Sequence, residues 1–298
     1  MALRDDLHTC FEIGRHPLKL VSRSERGAGD HAVETLRFET ASGDPVRGLV
    51  TRPKRDGPHP AIFYIHAHGG KYDIGADELL DGRPALQSPL GPVFARAGYV
   101  TLCIDLPCFG ERASVTESAA AKAALWRGRS LAGQMMGELS SALDYLAART
   151  DVDAARIGSF GISMGATYTY WLAAIDRRIA AAMHLCCFAE FGKLIETGAH
   201  DRHGIYLTIP GLLNLAGNGE IAGLIAPRPQ LVCIGDLDEL TPPAAFEPAF
   251  AQTSAAYAAA GVPDSLVLHR EAGTGHQESA AMRDAFMAFA GRHLLHSR

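Results

Sequence analysis

Residues 157–165 read IGSFGISMG, and this stretch decides the fold that the sequence predicts. Ser163 stands between Gly161 and Gly165, directly after an apolar run typical of a buried strand and directly before a run typical of a helix. In a Gly-x-Ser-x-Gly turn the serine backbone is strained, and the glycines remove Cβ atoms that would collide with the neighbouring strand and helix. The turn is predicted to raise the Ser163 hydroxyl above a sheet edge, at the positive end of a helix dipole.

Apolar runs alternate with helical patterns on both sides of this turn. Before it, the sequence predicts a hairpin of Val33–Thr40 and Val46–Arg52, a strand after Pro60, a helix at Leu90–Ala97, a strand at 99–107, and one long helix or two broken near Gly128–Gly133 within 118–149. After it come a helix at 164–175, strands at 178–187, 229–236 and 264–271, and helices at Pro243–Ala260 and Gln277–Leu295. The alternation predicts an α/β fold, with a mostly parallel central sheet flanked by helices on both faces and an N-terminal β-hairpin.

Two stretches fall outside this alternation. Residues 1–30 precede the hairpin and are expected to form an exposed N-terminal arm, a candidate surface for a homodimer. Residues 188–226 contain several turn signals and no clean period, so we expect a cap-like insertion near the strand ends, where loops build sites. With 298 residues and 47% hydrophobic content, the chain is predicted to be a single domain, 1–298.

A serine hydroxyl needs a base, and the base needs an orienting carboxylate, in the chain order Ser, Asp, His for this kind of turn. The run DLDELTPP at 236–243 follows a strand and offers Asp236 and Asp238. Asp238 is preferred because the turn before Pro242 can point its carboxylate back at the site, whereas Asp236 suits capping or binding of backbone N–H groups. His276 lies in the glycine-rich loop AGTGHQES at 272–279, before the last helix, and is the predicted base.

Developing negative charge on a carbonyl oxygen requires backbone N–H donors. One is expected from Met164, the residue after the serine. The other is expected from the loop HAHGG at 66–70, which follows a strand and resembles an oxyanion loop, with His68 or Gly69 as the donor.

Taken together, strand-HAHGG, strand-IDLPCFGER, GISMG, GDLDELTP and GTGH resemble the α/β-hydrolase superfamily in its expected order. The segments DYLAARTDVDAARIGSFGISMGA and IAGLIAPRPQLVCIGDLDELTPP are most similar to its dienelactone hydrolase and acetyl xylan esterase-like branch. The resemblance spans roughly residues 30–295. Dienelactone hydrolases use a cysteine nucleophile, so Ser163 at this position implies ester rather than dienelactone chemistry.

The resemblance implies a serine hydrolase that cleaves a small-molecule carboxylic ester through an acyl-enzyme, with Ser163, Asp238 and His276 as its triad. Two alternatives stay open. One is a single-domain peptidase of the prolyl oligopeptidase type, which shares this order of motifs. The other is a non-catalytic hydrolase-fold protein that binds a ligand in the same pocket. No metal or organic cofactor is implied.

Several other polar and aromatic residues invite functional readings. Candidate pocket residues are aromatic, although aromatic residues at helical spacing more often lie in a core: Phe109, Trp126, Trp171, Phe188, Phe191 and Tyr206. His66 is expected to be a hydrogen-bonded residue beneath the 66–70 loop, because no further metal ligands follow at a supporting spacing. His200 and His203 are expected to face solvent, and Asp105 is expected to bind backbone amides.

Composition excludes several classes of protein. The net charge of −5 and the dispersed lysines and arginines argue against a nucleic-acid partner. No apolar run reaches the ~18 residues of a membrane helix, and the first twenty residues carry no secretory signal pattern. The six cysteines lie apart without a Cys-x-x-Cys pair, which favours reduced, buried thiols in a cytoplasmic protein.

Overall fold

The computed structural model describes residues 2–295. Its strands are β1 (Lys19–Ala28), β2 (His31–Glu39), β3 (Pro45–Pro53), β4 (His59–Ile65), β5 (Val100–Ile104), β6 (Val152–Ile162), β7 (Ile179–Leu185), β8 (Gln230–Gly235) and β9 (Leu266–Glu271). They form one sheet in the order β1-β2-β3-β5-β4-β6-β7-β8-β9. Strands β1, β2, β3 and β5 pair antiparallel, and β5, β4, β6, β7, β8 and β9 pair parallel.

The helices pack around this sheet. They are α1 (Ala2–Cys10), α2 (Glu78–Asp81), α3 (Leu90–Ala97), α4 (Glu117–Leu125), α5 (Leu131–Ala147), α6 (Met164–Ile175), α7 (Phe191–Thr197), α8 (Leu212–Leu215), α9 (Asn218–Gly223), α10 (Pro243–Ala259) and α11 (Ala280–Ala290). Short 3-10 turns add Gly75–Asp77, Gly110–Arg112, Ala199–Arg202, Ile205–Leu207 and Pro263–Ser265, and a π turn covers Gly291–Leu295. None of the helices within 2–295 is both long enough and apolar enough to cross a membrane.

The predicted α/β architecture is confirmed, including the β2–β3 hairpin and the central parallel strands. Of the two readings of 118–149, the broken helix is the one observed. Thr116 and Ser130 each accept a hydrogen bond from a backbone N–H of the first helical turn, so α4 and α5 begin separately.

Alternation along β4 divides the core between the two faces of the sheet. Phe63 and Ile65 pack in one cluster with side chains of α5 and α6, whereas Ile62 and Tyr64 pack in a second cluster with side chains of α3 and α11. Every residue of β4 is buried. Such a strand reads as a continuous apolar run because both of its faces are covered.

Residues 2–30 differ from the expected exposed arm. Helix α1 packs on the domain: Leu7 and Phe11 are fully buried, and the Phe11 ring stacks on Trp171 with centroids 5.1 Å apart. Strand β1 is the edge of the sheet and is exposed along nearly its whole length. A strand exposed on both faces needs no apolar alternation, and the sequence of β1 has none, so this strand could not be predicted.

Two histidines are buried in the core. His184 on β7 and His66, which follows β4, are inaccessible to solvent. Burial lowers the pKa of His66 to about 4 and the pKa of His184 to about 3, because a charged imidazole would lose its hydration. Gln230 donates a hydrogen bond of 2.9 Å to His184 Nε2, which requires an imidazole with a free lone pair.

We expect the free energy of unfolding to fall as the pH drops from about 6.5 towards 4. In this window the unfolded chain binds protons at His66 and His184 while the folded chain does not, so stability rises with pH. At about pH 5, where most carboxylates have not begun to titrate, each histidine is expected to lower the free energy of unfolding by about 2 kcal/mol. Urea unfolding at about pH 7.5, 6 and 5 measures the effect, and His184→Asn should lose about half of it. Equal stability across this range would contradict the assignment.

Candidate active site

The backbone at Ser163 has the strain that the sequence predicts. Ser163 lies between β6 and α6 with φ 60° and ψ −124°, a conformation that residues with a Cβ rarely adopt. A Cβ on Gly161 would lie 2.3 Å from the carbonyl of Gly165, and a Cβ on Gly165 would lie 2.0 Å from the carbonyl oxygen of Ile65. Both flanking positions therefore require glycine.

Ser163, His276 and Asp238 lie in one hydrogen-bonded line. The Ser163 Oγ is 2.8 Å from His276 Nε2, and His276 Nδ1 is 2.8 Å from Asp238 Oδ2. A carboxylate can only accept, so Nδ1 carries the proton, and Nε2 is left to accept the hydrogen bond from the serine hydroxyl. The arrangement can remove a proton from Ser163 when the hydroxyl attacks an electrophile.

Asp238, rather than Asp236, is the carboxylate that meets His276. Asp238 is 2% exposed, and its second oxygen accepts a hydrogen bond of 2.9 Å from the Leu240 N–H. Asp236 instead binds the Arg270 guanidinium, with Nε 2.6 Å from Oδ1. The preference for Asp238 thus matches the geometry, but the expected binding of backbone N–H groups by the Asp236 carboxylate does not.

The N–H groups predicted as oxyanion donors, that of Met164 and that of His68 or Gly69, have no other hydrogen-bond partner in the described part of the chain. Met164 is the first residue of α6, and His68 and Gly69 follow β4, which pairs directly with β6. These donors remain free to bind an oxygen of a ligand.

The imidazole of His68 is held by neighbours. His68 Nε2 lies 2.7 Å from Glu117 Oε2, the Gly70 N–H donates to His68 Nδ1 over 3.0 Å, and the ring stacks on Tyr206 with centroids 4.6 Å apart. Although burial acts in the opposite direction, hydrogen bonds from His68 and Tyr72 lower the pKa of Glu117. A buried carboxylate therefore fixes the loop that carries the predicted donors. No sequence motif indicated Glu117, which starts α4 far from the loop in the chain.

Most of the aromatic residues predicted for the pocket are packed in the interior of the protein. Phe109, Trp171 and Phe188 are fully buried and Tyr206 is 5% exposed. Trp171 packs on Phe11 in the core, whereas Phe109 and Tyr206 pack on His68 and support the 66–70 loop. Trp126 is 92% exposed at the end of α4.

A cavity of about 510 Å³ lies instead within the 188–226 segment. Its walls are mainly aliphatic, and of the predicted pocket residues only Phe191 contributes to them. The lining residues are Phe191, Leu194, Ile195, His200, Asp201, His203, Gly204, Ile205, Leu207, Thr208, Ile209, Leu212 and Leu213.

His66 and Asp105 form the hydrogen bonds that the sequence predicts, whereas only one of the two histidines of the 200–203 turn is exposed. His66 is hydrogen-bonded as expected, with Nδ1 3.0 Å from the Ala67 carbonyl and Nε2 accepting from the Leu106 N–H. Asp105 accepts from the N–H groups of Ala76 and Glu111, as expected, and also binds Arg47. His200 is exposed as expected, whereas His203 is half-buried. Its Nε2 donates over 2.9 Å to the carbonyl of Leu240, in the turn that carries Asp238.

Cys186 lies against the same hydrogen-bonded line. Ligand atoms of Cys186, Asp238 and His276 all lie within 4.8 Å of one another, a spacing that could hold a metal ion. Burial, and then the negative charge of Asp238, raise the pKa of the Cys186 thiol well above its ordinary value. Metal binding requires the thiolate, so the protonated thiol is a poor ligand, and the Asp238–His276 hydrogen bond already uses the other two groups.

Comparisons with known proteins identify the family of the chain. The model of the dienelactone hydrolase family matches residues 46–188. The chain is 36% identical over 277 residues to "Putative hydrolase YtaP" of Bacillus subtilis (strain 168), a match that covers 92% of each chain.

Solved structures share the fold at lower identity. Methylesterase BT1017 superimposes with a TM-score of 0.75 at 23% identity; the match covers 98% of this chain but only 62% of that one. An acetyl xylan esterase from Paenibacillus sp. R4 superimposes with a TM-score of 0.67 at 19% identity and covers 98% of this chain and 94% of that one. With its serine turn, its mostly parallel sheet and these relatives, the chain belongs to the dienelactone hydrolase family of the α/β-hydrolase fold.

Proposed function

We propose that this protein is a serine hydrolase that cleaves carboxylic esters through an acyl-enzyme intermediate. The observation that carries the proposal is the hydrogen-bonded line from Ser163 Oγ through His276 to Asp238, with both contacts at 2.8 Å. If the folded protein hydrolysed no carboxylic ester, the proposal would be refuted.

In the proposed reaction, Ser163 Oγ attacks the ester carbonyl carbon while His276 Nε2 takes the hydroxyl proton. The carbonyl oxygen becomes an oxyanion bound by the N–H groups of Met164 and of His68 or Gly69. His276 then gives its proton to the departing alcohol, which leaves an acyl-Ser163 ester. Water repeats the cycle: His276 takes its proton, the acid departs, and Ser163 regains its hydrogen.

Asp238 and the N–H donors contribute in different ways. The buried Asp238 carboxylate holds Nδ1–H and stabilises the imidazolium that forms during attack. Each backbone donor aimed at the oxyanion is worth about 3 to 4 kcal/mol in systems of this kind. We infer that neither contribution requires a rearrangement of the resting protein, because the N–H groups follow β4 or begin α6 and the carboxylate lies in the turn after β8.

The names of similar proteins support an ester substrate. The matched family is named for a lactone, which is a cyclic ester, and two structural neighbours are a methylesterase and an acetyl xylan esterase. A peptidase would need the same triad, so the site alone does not separate the two. The free cysteines further suit a reducing compartment, and we propose that the protein is cytoplasmic.

We expect hydrolysis of p-nitrophenyl acetate and of an acetylated sugar, and at least about a hundredfold lower kcat/KM for an aminoacyl anilide. The reason is that the amine leaving group must be protonated as it departs, whereas p-nitrophenolate leaves unaided. Release of p-nitrophenol, acetate and aniline measures the three reactions. Cleavage of the anilide alone would favour a peptidase, and folded protein inert towards all three would favour a ligand-binding protein.

A further inference from the structure

Both backbone polar groups of Ala67, the residue before His68, are bound by buried charged side chains. The Ala67 N–H donates to Glu78 Oε2 over 3.0 Å, and Arg83 Nη2 donates to the Ala67 carbonyl over 2.8 Å. Glu78 and Arg83 also contact each other as an ion pair, with side chains 0% and 3% exposed. The start of the 66–70 loop is therefore held by a buried carboxylate and a buried guanidinium.

The guanidinium packs directly against the loop. A Cβ on Gly69, whose φ is 53°, would lie 2.5 Å from Arg83 Nη1. The Glu78 carboxylate is held in turn by Tyr64, whose hydroxyl donates to Oε1 over 2.6 Å. A buried ion pair contributes little net stability, because desolvation offsets its attraction. Net stability therefore does not explain why the Glu78–Arg83 pair is buried here, whereas a role in positioning the 66–70 loop does.

Residues that follow Arg83 also form hydrogen bonds with the loop that carries His276. The Glu278 N–H donates to the Ala85 carbonyl, and the Gln87 N–H donates to Glu278 Oε2, each over 2.8 Å. Gln87 Nε2 donates to the Glu278 carbonyl, also over 2.8 Å. Glu278 is 1% exposed and lies two residues after His276. Residues 78–88 thus contact both the loop of the predicted N–H donors and the loop of the predicted base.

We propose that residues 78–88, the brace, hold the donors of the 66–70 loop and the imidazole of His276 in a fixed mutual position, with Glu78, Arg83 and Gln87 as positioning residues. This inference rests on the proposed ester hydrolysis. None of the three is assigned a contact with the substrate. Their effect is on the distance between the oxyanion donors and the base, where a misplacement of about 1 Å can cost a hundredfold in rate.

Arg83→Met tests the proposal, because it keeps the length of the side chain and removes the bond to the Ala67 carbonyl. Active sites are counted by stoichiometric labelling with a p-nitrophenyl phosphonate, so that kcat is expressed per competent site. We expect kcat to fall about 10- to 100-fold while KM changes less than about threefold, since the loss affects the transition state. The inhibition constant of a trifluoromethyl ketone should rise in parallel with the loss in kcat/KM, and Arg83→Lys should recover part of kcat.

Arg149→Met is the matched control. Arg149 also forms a buried ion pair, with Glu34, but it precedes the first residue of β6 and so lies at the opposite end of that strand from Ser163. It should lower the free energy of unfolding without changing kcat per competent site. An Arg83→Met protein with fewer competent sites but unchanged kcat per site and unchanged ketone inhibition would overturn the proposal.

A double-mutant cycle tests whether the two ends of the brace act together. Gln87→Ala removes the amide bond to the Glu278 carbonyl and is expected to lower kcat by about 3- to 30-fold. If one brace serves both loops, the double variant with Arg83→Met loses less than the product of the single losses. If the kcat loss of the double variant equalled the product of the two single losses, the proposal that one brace serves both loops would be overturned. Absence of phosphonate labelling in the unmodified protein would instead refute the proposed hydrolase function, so the two failures are distinguishable.

Discussion

Replacing Ser163 by alanine is expected to lower kcat for p-nitrophenyl acetate by about a million-fold. The Ser163 hydroxyl is hydrogen-bonded to the His276 imidazole, so we expect that the proposed acyl-enzyme cannot form without it. We expect the residual rate to come from the proposed N–H donors and from substrate binding. Initial rates with the p-nitrophenyl ester, and the mass added by an organophosphonate, measure the two consequences. The variant should be inactive and unlabelled, yet as stable as the unmodified protein.

Ser159→Ala is the matched control for this variant. Ser159 lies four residues earlier on β6, is fully buried, and its hydroxyl has no hydrogen-bond partner within the described part of the chain. Its loss should change neither kcat nor labelling. If Ser163→Ala retained more than about a hundredth of the activity, catalysis would have to proceed without the serine, and the proposed mechanism would be wrong.

The positions of Ser163, Asp238 and His276 could be predicted because each follows a strand of the parallel sheet. Carboxyl ends of parallel strands meet at one edge, so residues more than a hundred positions apart converge there. Turn chemistry then distinguished Asp238 from its neighbour. The Thr241 N–H donates to the Asp238 carbonyl and closes a turn. This turn directs the Asp238 carboxylate towards His276.

The contacts that hold the 66–70 loop could not be predicted. Glu78 and Arg83 lie in a stretch without helical or strand periodicity, and their partner is the backbone of Ala67, which carries no sequence signature. The burial of Trp171, in contrast, follows from its place in α6. Every residue of α6 is buried, so an aromatic side chain at any position of this helix packs into the core rather than into a pocket.

Asp238→Asn is expected to lower kcat by about ten-thousandfold while leaving the fold unchanged. The asparagine oxygen can still accept the hydrogen bond from the Leu240 N–H, which Asp238 Oδ1 accepts over 2.9 Å. The amide nitrogen then faces His276 and donates to Nδ1, which forces the proton onto Nε2. In that tautomer Nε2 cannot accept the Ser163 proton, and the imidazolium has lost its carboxylate.

Asp236→Asn separates this electronic effect from a general loss of charge near the site. Asp236 is two residues away but binds Arg270 at the surface, so its conversion to an amide should leave kcat within about twofold. Steady-state kinetics of both variants on one ester, with circular dichroism to verify folding, make the comparison. Equal losses in the two variants would show that local charge, rather than the tautomer of His276, governs the rate. A loss confined to Asp236→Asn would transfer the orienting role to that carboxylate and overturn the assignment made from the 2.8 Å contact between His276 and Asp238.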